Sequence, residues 1–324
     1  NDGTSWADAF TDLQDALTAG SGGEVWVAEG IYKPGAARTD SFRLRTGLAV
    51  YGGFNATETE EDQRDWVNNV TILSGDIGTL GDSSDNSYHV VVGATESRLD
   101  GFTVTGGNAS GSGQSGYGGG LYSYMQRPVV AHCIFTSNAA SIGAGVCNLG
   151  GSLQISDCTL NTNVSSSRGG GLAGLGGASI NISHCIFDSN SAVSRGGGVY
   201  LTGNSSVVVL NCTLYGNSGG TAGGVDAVIS TCDVKNCILW NNTGNQVNNS
   251  SSVISVSHSC VQGNYAGTCN IDVDPWFADV ASGDFHLRSR SGRWTPDGWV
   301  TDLQTSACID AGDPSDEYAN EPDP

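Results

Sequence analysis

Two recurring positions of the chain carry side chains that could hold a sugar polymer. Aromatic rings stack on the faces of sugar rings, and arginine presents several hydrogen-bond donors in a fixed fork. The sequence predicts that these positions form a row on one outward face; the alternative is a set of solvated surface residues. The predicted glycan contacts are Tyr117, Tyr122, Arg168, Arg195, Tyr200 and Asp226.

Catalysis on such a polymer would require further groups. Hydrolysis needs two carboxylates about 5–10 Å apart, and elimination needs a base together with cations that neutralise a uronate. The sequence has neither the paired-Asp motifs with Gly-His-Gly of polygalacturonases nor the arginine signatures of pectate lyases. Its two lysines are Lys33 and Lys235, so a lyase site would depend on arginine. We therefore predict no catalytic residues.

One acidic loop could hold a metal ion. Asp76, Asp82 and Asp85 lie close together in sequence, and calcium prefers six to eight oxygen ligands from flexible loops. Their spacing matches neither an EF-hand nor the glycine-rich calcium repeat, so a solvated loop is the favoured alternative. A structural calcium ion is the one cofactor that the sequence suggests. His132 and His184 recur two repeats apart, too far to share a metal, and are predicted to be polar turn residues.

The ten cysteines fall into two groups. Five recur at spacings of 25, 27, 27 and 25 residues and are predicted to stack as a buried row of free thiols, with disulfides between repeats as the alternative. Cys260 and Cys269 lie outside this register and are the predicted disulfide, whereas Cys147, Cys232 and Cys308 have no assignment. The predicted row is Cys133, Cys158, Cys185, Cys212 and Cys237.

A repeat of about 25 residues positions all these side chains. A second marker, a glycine triplet followed by Leu or Val, as in Gly169-Gly170-Gly171-Leu172, keeps step with the cysteines. The short alternating runs between the markers are typical of strands, and a unit this small cannot bury its apolar face alone. Stacking the units predicts an all-β fold, a single-stranded right-handed parallel β-helix in which like residues form columns. Asn138 and its equivalents are predicted to occupy left-handed turn positions and to bond along the stack.

The ends of the solenoid need covers, because its terminal strands are unpaired. Ser5 begins a capping-box pattern, and residues 5–19 are predicted to form an amphipathic helix over the first coil. We predict one domain over residues 1–324, with an N-terminal cap at 1–23, coils at 24–264, and a C-terminal cap and acidic tail at 265–324.

The paired markers resemble a known repeat. Gly-Gly-(Ala/Gly)-(Ile/Leu/Val) with Phe-x-x-Asn, here at Phe135–Asn138 and Phe187–Asn190, is similar to the repeat of the chlamydial polymorphic outer-membrane proteins. Large secreted β-helix proteins of environmental bacteria, planctomycetes among them, are similar to this chain at Gly3–Pro34, Asp272–Phe277 and Cys308–Pro314. The resemblance implies a β-helix at the cell surface or outside the cell, and an adhesive or structural role.

Composition limits the partners further. The formal net charge of −20 disfavours nucleic-acid binding, and no apolar run reaches the length of a membrane span. The leading hypothesis is a non-catalytic extracellular or cell-surface protein with a structural or adhesive role, whose partners are glycans or further copies stacked end to end. The rival hypothesis is a glycan-binding protein or carbohydrate-active enzyme, a polysaccharide lyase or glycoside hydrolase, that uses the Tyr/Arg face.

Overall fold

The repeats stack as coils in the computed structural model, which describes residues 2–20, 22–295 and 298–316. Over these residues, the fold is an all-β, right-handed parallel β-solenoid of about nine turns with a single short α-helix near its N-terminus, as the sequence predicted. Along each regular coil the chain runs through sheets that we label A, B, C and D. Among the described residues, no helix is long and apolar enough to cross a membrane.

Parallel pairing between successive coils builds the four sheets. The strands of sheet A are Gly23–Ala28, Leu48–Phe54, Arg98–Asp100, Val129–Ala131, Ser152–Ser156, Ser179–Ser183, Ser206–Leu210, Thr231–Lys235 and Val253–Ser257. The strands of sheet B are Gly30–Tyr32, Thr71–Ser74, Thr103–Thr105, Ile134–Thr136, Thr159–Asn161, Ile186–Asp188, Thr213–Tyr215, Ile238–Trp240 and Cys260–Val261. The strands of sheet C are Asn108–Ala109, Ala139–Ile142, Val164–Arg168, Ser191–Ala192 and Ser218–Gly219. The strands of sheet D are Phe42–Arg43, Val91–Val92, Leu121–Tyr124, Val146–Leu149, Leu172–Leu175, Val199–Thr202, Ala222–Val228 and Asn245–Ser250.

The core is a set of columns that run along the solenoid axis. In sheet B, Leu160 pairs with Phe187, and Phe187 pairs with Leu214 in the next coil. In sheet A, Ile155 pairs with Ile182 in the same way. All of these side chains are buried, because alternate residues of each strand point into the lumen. The predicted inward columns are confirmed.

The first glycine of each triplet makes the turn between sheets C and D. Gly143 and Gly169 both have φ of +66°, a left-handed conformation that residues with a Cβ rarely adopt. The third glycine faces the next coil, where a Cβ added to Gly171 would lie 2.6 Å from the carbonyl oxygen of Gly198. The marker therefore reflects both a turn and a close approach of two backbones.

A column of buried asparagines follows the strands of sheet B. The Asn190 side-chain amide donates to the carbonyl oxygen of Leu160 at 2.8 Å and to Oδ1 of Asn217 at 2.9 Å. Bonding along the stack occurs as predicted, but the left-handed residue is the one before each asparagine, such as Ser189 with φ of +54°. The asparagine itself turns inward, because its amide satisfies backbone groups that the turn leaves unpaired.

The N-terminal cover is shorter than predicted. A 3₁₀ turn at Trp6–Asp8, capped by the Ser5 hydroxyl, is followed by the α-helix Leu13–Ala19. The predicted helix over residues 5–19 is wrong in its length, because the side chain of Asp12 accepts from the backbone of Gln14 and starts a separate helix. The apolar face of that helix, Leu13 and Leu17, is buried in the core.

The C-terminal segment packs on the outer side of the last coils. It forms two antiparallel hairpins, whose strands are Phe277–Asp279 with Asp284–Leu287 and Arg293–Thr295 with Gly298–Val300. The rings of Phe277 and Phe285 contact Tyr215, whereas Trp294 and Trp299 are exposed. Remaining helical turns are 3₁₀ segments at Glu61–Gln63, Gly113–Gly116 and Val280–Ser282.

Ion pairs fasten the end of this segment to sheet A. Lys235 Nζ lies 2.8 Å from Asp313 Oδ2 and 2.7 Å from Asp316 Oδ1. Asn236 accepts from the backbone of Asp313 and donates to the Asp316 carboxylate. We name this contact between Lys235, Asn236 and the two aspartates the tail clasp.

Acid should open the tail clasp. The hydrogen bonds and charge of Lys235 lower the pKa of both Asp313 and Asp316 below the ordinary value of 3.8. Because these pKa values are lower in the folded state, the stabilisation is present above about pH 4 and is lost as the pH falls further. Hydrogen exchange of the amides of residues 306–316, corrected for its intrinsic pH dependence, should therefore accelerate as the pH falls from about 4 to about 2. In the Lys235→Met variant, hydrogen exchange of these amides should be fast at every pH in this range. If exchange in this variant accelerates as steeply with acid as in the wild type, Lys235 does not hold the tail clasp.

Candidate functional site

The predicted Tyr/Arg face is largely covered. Tyr122, Tyr200 and Asp226 do point away from the lumen, but all three are buried, which corrects the expectation that they form an open face. The physical reason is the left-handed glycine turn, which folds the preceding residue back over the outer side of sheet D. Tyr122 and Tyr200 belong to a small second apolar cluster, against which Tyr117 packs.

The two arginines of this row support the same cluster. Arg195 Nε lies 3.1 Å from Asp226 Oδ2, and the Arg168 guanidinium lies over the Tyr200 ring with one donor 3.3 Å from the phenol oxygen. Asp226 accepts a further hydrogen bond from Asn248. Of the six predicted contacts, Arg168 is exposed, and Tyr117 and Arg195 are partly exposed. These contacts show that the side chains of this row pack successive coils against one another.

The acidic loop directs its carboxylates to its own backbone. Asp76 accepts from the amide of Gly81, Asp82 from Ser84, and Asp85 from Thr79. Within the described ranges there is no group of three or more His, Cys, Asp or Glu arranged to hold a metal ion. A structural calcium ion at this loop stays a prediction.

The predicted row of buried cysteines is present in the structure, but the predicted disulfide is not. Cys133, Cys158, Cys185, Cys212 and Cys237 are buried free thiols, and successive coils are joined by backbone-to-sulfur contacts such as Cys185 N to Cys212 Sγ at 3.4 Å. The predicted Cys260–Cys269 disulfide does not form. Cys260 is buried and its thiol donates to the carbonyl oxygen of Val273, whereas Cys269 is exposed.

A second polar cluster, which the sequence reasoning missed, surrounds Asp100 on the outer face of sheet A. Its carboxylate is fully buried, and Oδ1 lies 2.7 Å from Arg64 Nη2 and 3.0 Å from His132 Nδ1. Oδ2 accepts from Arg98 Nε at 2.9 Å and also contacts the Arg98 terminal nitrogen. The cluster therefore brings two cations and an imidazole around one carboxylate.

The loop that carries Arg64 returns across the first coils. Gly53 has φ of +96°, and a Cβ there would lie 2.7 Å from the Trp66 backbone nitrogen, so the close passage requires glycine. The Asp65 amide donates to the Gly53 carbonyl oxygen at 2.7 Å. Glu61, in the 3₁₀ turn of this loop, pairs with Arg64 Nε at 2.8 Å. The buried ion pair between Arg64 and Asp100 therefore anchors this loop to sheet A.

Aromatic rings lie against these charges. The Arg64 guanidinium lies 4.9 Å from the Tyr51 ring and 4.8 Å from the Trp66 ring, and the ring centroids of Trp66 and His132 are 4.5 Å apart. Trp66 nevertheless remains 37% exposed. We name this surface the Trp66 face, defined by Tyr51, Arg64, Trp66, Arg98 and His132 around Asp100.

The pKa of Asp100 shows which role its carboxyl group can play in the Trp66 face. Burial alone would raise the pKa of this carboxyl, but the hydrogen bonds from His132 and Arg64 and the charges of both arginines outweigh burial and lower the pKa to about 2. Asp100 is thus ionised at neutral pH and has no proton to donate. It positions the two arginines, and the face can bind a ligand through rings and hydrogen-bond donors.

The chain is similar to one protein family and to several solved structures. A family model described as disaggregatase related matches residues 235–312, and no curated protein matches the chain. Pectin methylesterase from Aspergillus niger is 14% identical with a TM-score of 0.43, over 83% of this chain and 88% of that one. A pectin methylesterase in complex with a hexasaccharide is 12% identical with a TM-score of 0.41, over 86% and 92%.

A phage protein has a similar architecture. The tailspike protein gp49 of Acinetobacter baumannii bacteriophage Fri1, a capsular polysaccharide depolymerase, is 11% identical with a TM-score of 0.40, over 90% of this chain and 65% of that one. These likenesses concern the β-helix fold alone. The similarity to chlamydial repeats stays an expectation from the sequence.

Proposed function

We propose that this protein is a non-catalytic β-helix protein, located outside the cell or at its surface, that binds glycans through the Trp66 face in an adhesive role. The observation that carries the proposal is an exposed tryptophan held rigidly beside arginine donors. An exposed aromatic ring offers a flat apolar platform, and here the Arg64 guanidinium and the His132 ring contact the Trp66 ring and hold its position.

The chemistry of Asp100 supports binding without turnover. A general acid needs a raised pKa and a general base needs a free oxygen, but both oxygens of Asp100 already accept hydrogen bonds from cationic or imidazole donors. The carboxylate is therefore suited to hold the arginines in place.

The charge balance favours neutral glycans over acidic ones. Arg64 is paired with both Asp100 and Glu61, and Arg98 with Asp100, so the arginines contribute no unbalanced positive charge. The overall net charge of −20 repels polyanions as well. Arg98 is partly exposed and can still donate hydrogen bonds to sugar hydroxyls.

Titration with oligosaccharides tests the proposal. We expect tryptophan fluorescence to change on addition of neutral hexasaccharides of glucose, xylose or mannose, more than with hexagalacturonate at equal concentration. Replacing Trp66 by Ala should weaken neutral binding about tenfold, the effect of losing roughly 1.4 kcal/mol of stacking. Raising the salt concentration should leave the affinity nearly unchanged, because no net charge is neutralised.

The matched control is Trp294→Ala, which removes another exposed tryptophan far along the chain. This variant should bind as the wild type does. Equal affinities of the Trp66→Ala and wild-type proteins, or binding of none of these oligosaccharides, would contradict the proposal. End-to-end assembly stays a prediction, and it would require displacement of the helix that buries Leu13 and Leu17 or of the C-terminal segment.

A further inference from the structure

Two cysteines from distant parts of the chain meet beside the last coil. Cys260 belongs to the last strand of sheet B, and its amide donates to the carbonyl oxygen of Cys237 at 2.8 Å. Cys308 lies in the C-terminal segment, where its amide donates to the Ser306 hydroxyl at 3.1 Å. The two thiols interact with each other, and both line one groove of about 360 Å³.

We propose that Cys260 and Cys308 are a redox pair, which forms a disulfide on reaction with a low-molecular-weight disulfide such as oxidised glutathione and thereby fastens the C-terminal segment to the last coil. The inference does not depend on the glycan-binding proposal. It assigns a partner to Cys308, which the sequence left unassigned, and it replaces Cys269 as the partner of Cys260.

The surroundings of the two sulfurs favour exchange at Cys308. Contact with the Cys260 side chain lowers the pKa of the Cys308 thiol despite its partial burial, whereas the same contact and burial raise the pKa of Cys260. Cys308 is partly exposed and Cys260 is buried. A thiolate with a lowered pKa and access to solvent is the nucleophile of thiol–disulfide exchange.

The thiol–disulfide exchange proceeds in two steps. The Cys308 thiolate attacks one sulfur of the oxidant, the oxidant's sulfur–sulfur bond breaks, and one thiol leaves with the proton lost by Cys308. The Cys260 thiolate then attacks the Cys308 sulfur of the mixed disulfide, and a second thiol leaves with the proton lost by Cys260. The two cysteines lose two electrons in total, and the oxidant gains both.

The remaining described cysteines are less suited to this reaction. The thiols of Cys158, Cys185 and Cys212 are enclosed in the lumen, where burial raises their pKa. Each donates to a carbonyl oxygen of its own coil, as Cys185 does to Ser183 at 3.2 Å. Cys269 is accessible, but Cys260 directs its sulfur toward Val273 and Cys308 instead.

The bond would reinforce a contact that is otherwise non-covalent. The tail clasp at Lys235 holds residues just beyond Cys308, and a Cys260–Cys308 disulfide would close the chain from residue 260 to residue 308. Residues 235–312, which match the family model, contain both cysteines. The tail would then stay attached when acid opens its ion pairs.

Peptide mapping tests the pair directly. The reduced full chain is equilibrated with oxidised glutathione at about pH 8, free thiols are blocked by alkylation, and the protein is denatured and cleaved with trypsin. Cleavage after Lys235, Arg288 and Arg293 separates Cys260 from Cys308. We expect a disulfide-linked pair of peptides from the wild type and from Cys269→Ser, and none from Cys260→Ser or Cys308→Ser.

Limited trypsin digestion of the folded protein gives a second readout. After cleavage between Arg288 and Arg293 and gel filtration under acid conditions, the C-terminal fragment should remain with the oxidised protein and separate from the reduced one. The proposal is overturned if the equilibrated wild type yields both cysteines alkylated, if Cys308 is found linked to Cys269, or if the linked peptides persist in Cys260→Ser.

Discussion

Replacing Asn190 by Ala should destabilise the solenoid by about 3–5 kcal/mol. The substitution removes four hydrogen bonds, two donated by the Asn190 amide and two accepted by its Oδ1 from Asn163. The carbonyl oxygen of Leu160 and the backbone amide of Asn163 are then left buried without these partners. Each unsatisfied buried group costs about 1–3 kcal/mol, and loss of bonding along the column adds to this.

Urea-induced unfolding followed by circular dichroism measures the effect. The matched control is Asn181→Ala on the same coil, because that side chain is exposed on sheet A and its removal should change the free energy of unfolding by less than about 0.5 kcal/mol. Equal unfolding midpoints for the Asn190→Ala and Asn181→Ala proteins would show that the asparagine column is not a main source of stability.

The second large effect is expected at Asp100. Its replacement by Ala leaves the Arg64 guanidinium, whose side chain is 6% exposed, without its buried partner. Breaking one half of a buried pair costs about 3–5 kcal/mol, because the other charge stays desolvated. The loop that carries Trp66 should detach at the same time, so binding to the Trp66 face should fall with stability.

The pH dependence of Asp100 gives an independent signature. The folded-state pKa of about 2 lies below the ordinary 3.8, so the carboxylate contributes stability above about pH 4 and loses that contribution as the pH falls toward 2. The difference corresponds to about 2 kcal/mol in the free energy of unfolding. Asp100→Asn should lack this part of the pH profile, whereas Asp233→Asn, an exposed residue of sheet A, should retain it. Identical profiles for the Asp100→Asn and wild-type proteins would refute the assignment.

The part of the fold that follows the repeat could be predicted from the sequence, and the parts outside the repeat could not. Cys158 and Cys185, or Leu160 and Phe187, occupy equivalent positions in successive units, so stacking follows from the period alone. The helix at Leu13–Ala19 and the C-terminal hairpins lie outside the repeat. Their lengths and contacts depend on local capping, such as that by Asp12, which composition does not reveal.

The candidate site could not be predicted in the same way. Tyr122 and Tyr200 were correctly placed on the outer side of sheet D, but alternation along a strand does not tell whether a neighbouring turn covers that side. Arg64 and Asp100 are 36 residues apart and outside the regular repeats. The available signal was an aspartate on an early strand together with an Arg-x-Trp in a charged segment between two early strands.

Glycan binding at the Trp66 face can be seen directly in a crystal structure of the protein soaked with the neutral oligosaccharide that binds most tightly in the fluorescence titrations. We expect sugar density against the exposed part of the Trp66 ring, with a hydroxyl within hydrogen-bond distance of Arg98. Sugar density at a different surface, such as that around Arg168, with the Trp66 face unoccupied at saturating concentration, would contradict it.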